Sequence, residues 1–360
     1  MSFTDDFHNT STGEFWYNGD IYVRKNWNND GIVDFSIFDR NEGHIHFNGE
    51  KEQIILGFSL SHFFDVTFNN PTVKSAFNLF GDISIYNEAV FTSGVIENRL
   101  SGGTVIFEQN ADSFGANNHS HVNGPVIKDG FELFEFPIGN GTFHRMAGIS
   151  SPTIIDNMFI GEYFFEETNI NYPVNNLGPN LNIIDKTEHW SIESSNNANQ
   201  VYITLTWNEQ TTPQEIFNGS IESIHIARWD NSLKKWIDQG GIQNPQNQSV
   251  SALVENLGVV TLAKVNETKE IDFPKFFTPN GDGYNDTWNI KKPNNIEILS
   301  IQIFDRFGKL LKQIGSGEVG WNGKFNGKQL PNSDYWFLVN YKTLEDNVLR
   351  KFKSHFTLKL

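Results

Sequence analysis

The sequence predicts an all-β protein in three parts, on three observations. Aromatic residues make up 14 % of the chain, with 32 Phe, and they fall in short runs separated by Gly and Asn. Within those runs apolar and polar residues alternate, the period-2 pattern of a strand, while helix-forming stretches are scarce. The first third also repeats itself loosely, which points to stacked coils. The parts are expected at residues 1–135, a β-solenoid-like repeat region; 136–268, a β-sandwich; and 269–360, a small Ig-like β-sandwich.

The repeat region carries β-like runs centred on Tyr22 ("DIYVR"), His46 ("HIHFNG"), Thr67 ("DVTFNN"), Ser84 ("DISIYN") and Ile106 ("TVIFEQ"), separated by 24, 21, 17 and 22 residues. A coil of about twenty residues is what a solenoid requires, each coil burying its apolar side against the next. Those five residues are expected to be equivalent positions of successive coils. Asn48, Asn69 and Asn87 follow three of the runs and are expected to take the left-handed conformation at corners. An antiparallel meander is the other arrangement such runs allow.

From about Phe136 the pattern changes to strands spaced by polar loops, such as "MFIGEYFF", "EHWSIES" and "QVYITLTWN". The stretch "ESIHIARWDNSLKKWIDQGG" reads as a hairpin with Asp230-Asn231 in its turn. A short polar segment, "VNETKEIDFP", reads as the linker to the last part. There, Phe273-Pro274 and Thr278-Pro279 hold the chain extended. Asn280-Gly281-Asp282-Gly283 is a tight turn, because Asn and Gly accept positive φ cheaply. "ILSIQIFDRFGKLLKQI" is two strands around Phe307-Gly308, with Ile301 and Ile303 on one face. "HFTLKL" is the closing strand, whose Phe356 and Leu358 should face inward.

Composition narrows the function classes. There is no Cys, so disulfides and thiol chemistry are excluded. The net charge of −16 argues against nucleic acid as a partner, since phosphate binding needs a basic stripe. Charge is uneven: residues 271–360 hold 11 Lys and 2 Arg against 6 Asp and 3 Glu, a net +4, leaving −20 for the rest. No apolar run approaches the ~20 residues of a transmembrane helix.

The motifs "FFTPNGDGYND" with Trp288, "IQIFDRFGKLL", "GWNGKFNGKQLPNSDYWFLV" and "HFTLKL", in that order, resemble the gliding-motility-associated C-terminal domain. That domain is the type B sorting signal of the type IX secretion system. The resemblance spans about Phe273 to Leu360. The family usually ends in a basic residue, whereas here Lys359 is penultimate. The resemblance implies a transport address. The protein would cross the outer membrane and be secreted or held at the cell surface, and its tail would be recognised by the type IX machinery and a small porin-like outer-membrane partner. The motif positions it singles out are Phe277, Pro279, Asn280, Gly281, Asp282, Gly283, Asn285, Asp286, Trp288, Phe304, Asp305, Arg306, Gly308, Trp321, Gly323, Asp334, Tyr335 and Trp336. A type IX substrate should carry an export signal, and the opening "MSFTDDFHNTSTGEF" has no charged n-region followed by an apolar h-region. The natural beginning is therefore expected to be missing.

Residues 19–146 resemble, more loosely, repeat-containing secreted proteins that often carry the same tail. The matching text is "GDIYVRKNWNNDGIVDF", "GHIHFNGEKEQIILG", "FFDVTFNN" and "HVNGPVIKDGFELFEFPIGNGTFHRM". That likeness implies a surface stalk or adhesin-like fibre. The expected function is a non-catalytic, adhesin-like exported protein with a glycan or host-surface ligand. The alternatives are a carbohydrate-binding accessory protein or a polysaccharide-degrading enzyme with the same tail.

Other constellations have plainer readings. Asn26, Asn28, Asp30, Gly31 and Asp34 imitate a calcium loop, but its first position is neutral and its twelfth is Ile37. Asn280, Asp282 and Asp286 form a second acidic loop with Tyr284 at position five. Both read as turns. His44/His46 and His119/His121, at i and i+2, share a strand face and could clasp zinc or copper, yet no third ligand is evident nearby. No metal site and no cofactor is expected. Glu132/Glu135, Glu166/Glu167 and Glu188/Glu193 are the carboxylate pairs a glycosidase could use. Trp16/Tyr17, Trp207, Trp229 and Trp236 could stack on sugars or fill the core.

Overall fold

The computed structural model describes residues 1–35, 43–72, 74–152, 157–195, 200–266, 271–292, 296–315, 320–343 and 347–360. The described residues are nearly all β, with 55 % in strands and 3 % in helix. It divides into two compact units: Met1–Ile170 with Lys186–Pro213 and Val254–Thr261, and Asn171–Asp185 with Gln214–Leu253 and Leu262–Leu360.

The first unit opens with a parallel β-solenoid of about five turns, so the meander is excluded. It has three faces. The first stacks Ser2–Phe3, Asp20–Val23, His44–Phe47, the later half of Ser61–Asn69, the later half of Ile83–Ser93, and Asp112–Phe114. The second stacks Phe7–Asn9, Trp27–Asn29, Gln53–Leu56, Ser75–Leu79, Val95–Glu97 and Val122–Asn123. The third stacks Glu14–Tyr17, Ile32–Phe35, the earlier halves of the two long strands, Val105–Phe107 and Val126–Asp129.

Alternation sends every second side chain inward, and stacking places like on like. On the first face Val23, Phe47, Phe68 and Phe91 lie one above another in register, all buried. The Phe47 and Phe68 rings are 5.7 Å apart and nearly parallel, at 4°. Ile21, Ile45, Val66 and Ala89 form the neighbouring inner column.

The coil length is as expected; the equivalence of the five marked residues is only partly so. Tyr22 pairs with His46 and His46 with Thr67, on the first face. Ser84 pairs with Ile106, but on the third face, where its other neighbour is His62. Ser61–Asn69 and Ile83–Ser93 each turn a corner without ending, so the run around Ser84 belongs to a different side. The short interval of 17 residues marks this slip. Asn48, Asn69 and Asn87 do not take positive φ. Corners instead use buried asparagine side chains. Asn9 Nδ2 donates to Asn29 Oδ1 at 2.9 Å, and Asn98 Nδ2 donates to the Pro125 carbonyl at 2.8 Å.

After the solenoid, pairing becomes antiparallel. Val126–Asp129 pairs with Met158–Phe165, which pairs with Glu188–Ser194. A second sheet joins Phe134–Phe136, Ala147–Ile149 and Gln200–Thr206. The sheets approach closely at Gly161, where a Cβ would stand 2.6 Å from the Phe136 ring.

In the second unit Ile224–Asp230 and Lys235–Asp238 form the expected hairpin, with Trp229 opposite Trp236. The Asp230 carboxylate accepts the Ser232 and Leu233 N–H groups and closes its turn. The C-terminal sheet has the order Phe276–Phe277, Leu349–Leu358, Ser333–Thr343, Ile296–Phe304, Leu310–Gly315; the first pair is parallel and the rest antiparallel. Within the polar linker, residues 267–270 lie outside the described residues, as does Ile37 of the first loop.

Candidate functional site

The C-terminal module is organised around aromatic rings. Phe356, from the closing strand, is buried between Trp288 at 4.4 Å, Phe277 at 5.7 Å and Trp321 at 5.8 Å, centroid to centroid. Trp288 and Trp321 exchange backbone hydrogen bonds of 2.8 and 3.1 Å. Their indole N–H groups donate to the carbonyls of Pro274 and Lys324. Tyr335 is buried as well, and its hydroxyl donates to the Pro331 carbonyl at 2.9 Å. Leu358 is buried beside them, as the alternation of the last strand predicts. At Gly323, φ is +75° and a Cβ would meet Leu358 Cδ1 at 2.5 Å, so only glycine fits.

The acidic turn is built from its own hydrogen bonds. Asp286 accepts the Gly281 N–H on Oδ1 at 2.6 Å and the Gly283 N–H on Oδ2 at 2.8 Å. Asp282 accepts the Tyr284 N–H at 2.7 Å and the Asn280 amide at 2.8 Å. Those bonds, the Tyr284 N–H first, hold the Asp282 carboxyl below its usual range. Gly281, Gly283 and Asn285 all have positive φ, which explains this composition. A second turn is closed by Asp305, whose Oδ1 accepts the N–H groups of Phe307 and Lys309. Gly308 supplies its positive φ.

The structure thus separates the motif positions that sequence could not. Phe277, Trp288, Trp321, Gly323 and Tyr335 hold the core. Pro279, Phe304, Asp305, Gly308 and Trp336 are half-buried. Asn280, Gly281, Asp282, Gly283, Asn285, Arg306 and Asp334 are exposed, while Asp286 is half-buried beneath its turn. Two residues that sequence reasoning missed stand out: Tyr284 is 79 % and Phe307 72 % exposed. Their turns leave the same end of the sheet, since Phe304 pairs with Trp336, and Leu358 pairs with both Ser333 and Phe277. Large aromatics displayed at the tips of rigid turns were the available signal.

Residues 271–358 match the CHU_C type IX secretion signal domain. No curated protein and no solved structure matches the chain. The signal domain marks a protein exported by the type IX system, secreted or placed at the cell surface, and engaging that machinery. Among the described residues no helix is long and apolar enough to cross a membrane.

Elsewhere the structure redistributes the sequence candidates. Tyr17, Trp207, Trp229 and Trp236 are buried, and only Trp16, 54 % exposed, displays its ring; these residues form no planar row. Glu188 is sealed in the core of the first unit while Glu193 is exposed, so the two do not face one cleft. Glu188 instead receives Arg145 Nε and Nη2, both at 2.9 Å, the Tyr163 hydroxyl at 2.7 Å and the Thr212 hydroxyl at 2.6 Å. Burial pushes the Tyr163 phenol far above its ordinary range. Glu132 pairs with Lys128, and Glu135, Glu166 and Glu167 are exposed. In the second unit a cleft of 770 Å³ borders Glu222 and Asp272, which pair with Lys275 and Lys291. His121 is buried, its Nδ1 bonded to the Asn117 carbonyl at 2.9 Å while Nε2 accepts the Gly141 N–H.

Proposed function

We propose that this protein is a non-catalytic, adhesin-like surface or secreted protein that binds a glycan or host-surface ligand through its solenoid. Its signal domain passes it through the outer membrane, and a small porin-like partner engages the exposed turns at Tyr284 and Phe307. The observation that carries the reading is an apolar edge on the solenoid. Phe58, Phe80 and Leu100 are all exposed, at the same corner of three successive coils. Gly57, Gly81 and Gly103 stack backbone on backbone beside them, which keeps that corner tight. Contiguous exposed apolar side chains on a rigid scaffold mark interaction surfaces. Glu188 is sealed in an ion pair with Arg145, and Glu222 and Asp272 beside the cleft are paired with lysines, which favours binding over hydrolysis.

The experiment is binding of the full chain to a glycan array and to host-cell surfaces, with the Phe58→Ser/Phe80→Ser/Leu100→Ser variant alongside. Saturable binding lost in that variant supports the reading. Turnover of a polysaccharide, or binding that the variant keeps, overturns it.

A further inference from the structure

Sequence left the pair His44/His46 without a third ligand, and the solenoid supplies one. Asp20 sits directly beside His44 in the preceding coil, and Tyr22 sits beside His46. One ligating atom each from Asp20, His44 and His46 falls within 4.8 Å of the other two. The two imidazoles stack at 3.9 Å and 20°, and Tyr22 covers the outer face of His46 at 4.5 Å and 11°. His46 Nε2 lies 2.7 Å from Asp20 Oδ1, and the Thr67 hydroxyl in the next coil holds His44 Nε2 at 2.8 Å. Every member is on a strand rather than a loop, so the cluster is positioned by backbone stacking.

We propose that Asp20, His44 and His46 form a binding site for a divalent transition-metal cation, with zinc the first choice. Two imidazoles and a carboxylate are the donor set that suits such an ion, and the outward position leaves a fourth place for water or a partner's ligand. The Thr67 hydroxyl acts as the outer partner that fixes a ligand ring. Asp65, which flanks His44 from the other side, is occupied by the Asn87 amide at 2.7 Å and is not counted as a ligand.

The site would tie adjacent coils of the first face together. The test is calorimetric titration of the full metal-free chain with zinc chloride. One ion per chain is expected, with Asp20→Asn and His46→Ala each weakening binding by more than about tenfold, the loss typical even of an outer-shell partner. His8→Ala is the control, because His8 makes a separate exposed contact with Asp30 and should leave the titration unchanged. Far-ultraviolet dichroism checks that each variant is folded; if His46→Ala is not, Asp20→Asn decides alone, since it keeps size and shape. A cobalt(II) derivative should show visible bands of a four-coordinate site that Asp20→Asn abolishes. No saturable binding at millimolar zinc, or binding that Asp20→Asn leaves intact, overturns the proposal.

Discussion

Phe356 stacks on Trp288 with ring centroids 4.4 Å apart and planes 22° from parallel. The two residues lie 68 positions apart in the chain, so the closing strand and the segment that follows the acidic turn complete one core together. Truncating Phe356 to Ala removes the ring that Trp288, Phe277 and Trp321 share. Large-to-small changes at such sites cost about 3–5 kcal/mol, a large part of a small domain's margin of about 5–15 kcal/mol. Phe356→Ala should therefore lower the denaturation midpoint of the signal domain steeply, read by tryptophan fluorescence of Trp288 and Trp321.

Ending the chain at Lys353 should be more severe. The strand Leu349–Leu358 lies between Phe276–Phe277 and Ser333–Thr343, so its loss leaves edge groups unpaired on both sides. The truncated chain is expected to lose protease resistance over residues 271–353 and to fail export, while the first unit remains resistant. A truncated tail that stays folded and is still secreted would refute this account of the closing strand.

How much of this was legible in the sequence depended on range. Alternation revealed the strands, and the buried face of Phe356 and Leu358 followed from it. A repeat near twenty residues revealed the solenoid. Sequence could not show where a strand bends. The corner inside Ser61–Asn69 carries no Gly or Pro, so Ser84 was placed one face away from its true column. Nor could it show Asp20 beside His44, because that neighbour arises only once coils stack in register. Most of the tryptophans singled out for sugar stacking went to the core for the ordinary reason that they are the largest apolar side chains available.

Arg145 and Glu188 form a fully buried, two-pronged ion pair. The Thr206 hydroxyl and the Thr212 hydroxyl satisfy further groups of the pair. Removing one partner strands the other charge in the core, a loss of about 3–5 kcal/mol. Arg145→Ala should thus destabilise the first unit strongly. Replacing both residues together should cost less than the sum of the single changes, as a double-mutant cycle of chemical denaturation would show.

Acid should loosen the end of the solenoid and the antiparallel sheet that follows it. Burial lowers His121, His144 and His189 from 6.5 to about 4. Between those values the unfolded chain binds protons that the folded one does not, so stability is full above pH 6.5 and falls progressively toward pH 4. At His121 a proton on Nε2 would in addition remove the acceptor of the Gly141 N–H. Replacing His121 by Gln should flatten part of the pH dependence measured by urea denaturation between pH 6.5 and 4.

Recognition and folding of the signal domain should separate by residue. Gly323→Ala forces a Cβ into Leu358 at a left-handed position, a strain of about 1–3 kcal/mol or more. That variant should lower both stability and export. Tyr284→Ala and Phe307→Ala remove rings of mostly exposed residues, so stability should change by no more than about 0.5 kcal/mol. If the machinery or its outer-membrane partner reads these two turns, those variants will stay in the periplasm while remaining as resistant to denaturant as the parent. A fluorescent reporter carrying an export signal and residues 271–360 makes the comparison, with culture medium, cell surface and periplasm assayed separately. Normal export of the double variant would move the recognition surface away from this end of the sheet.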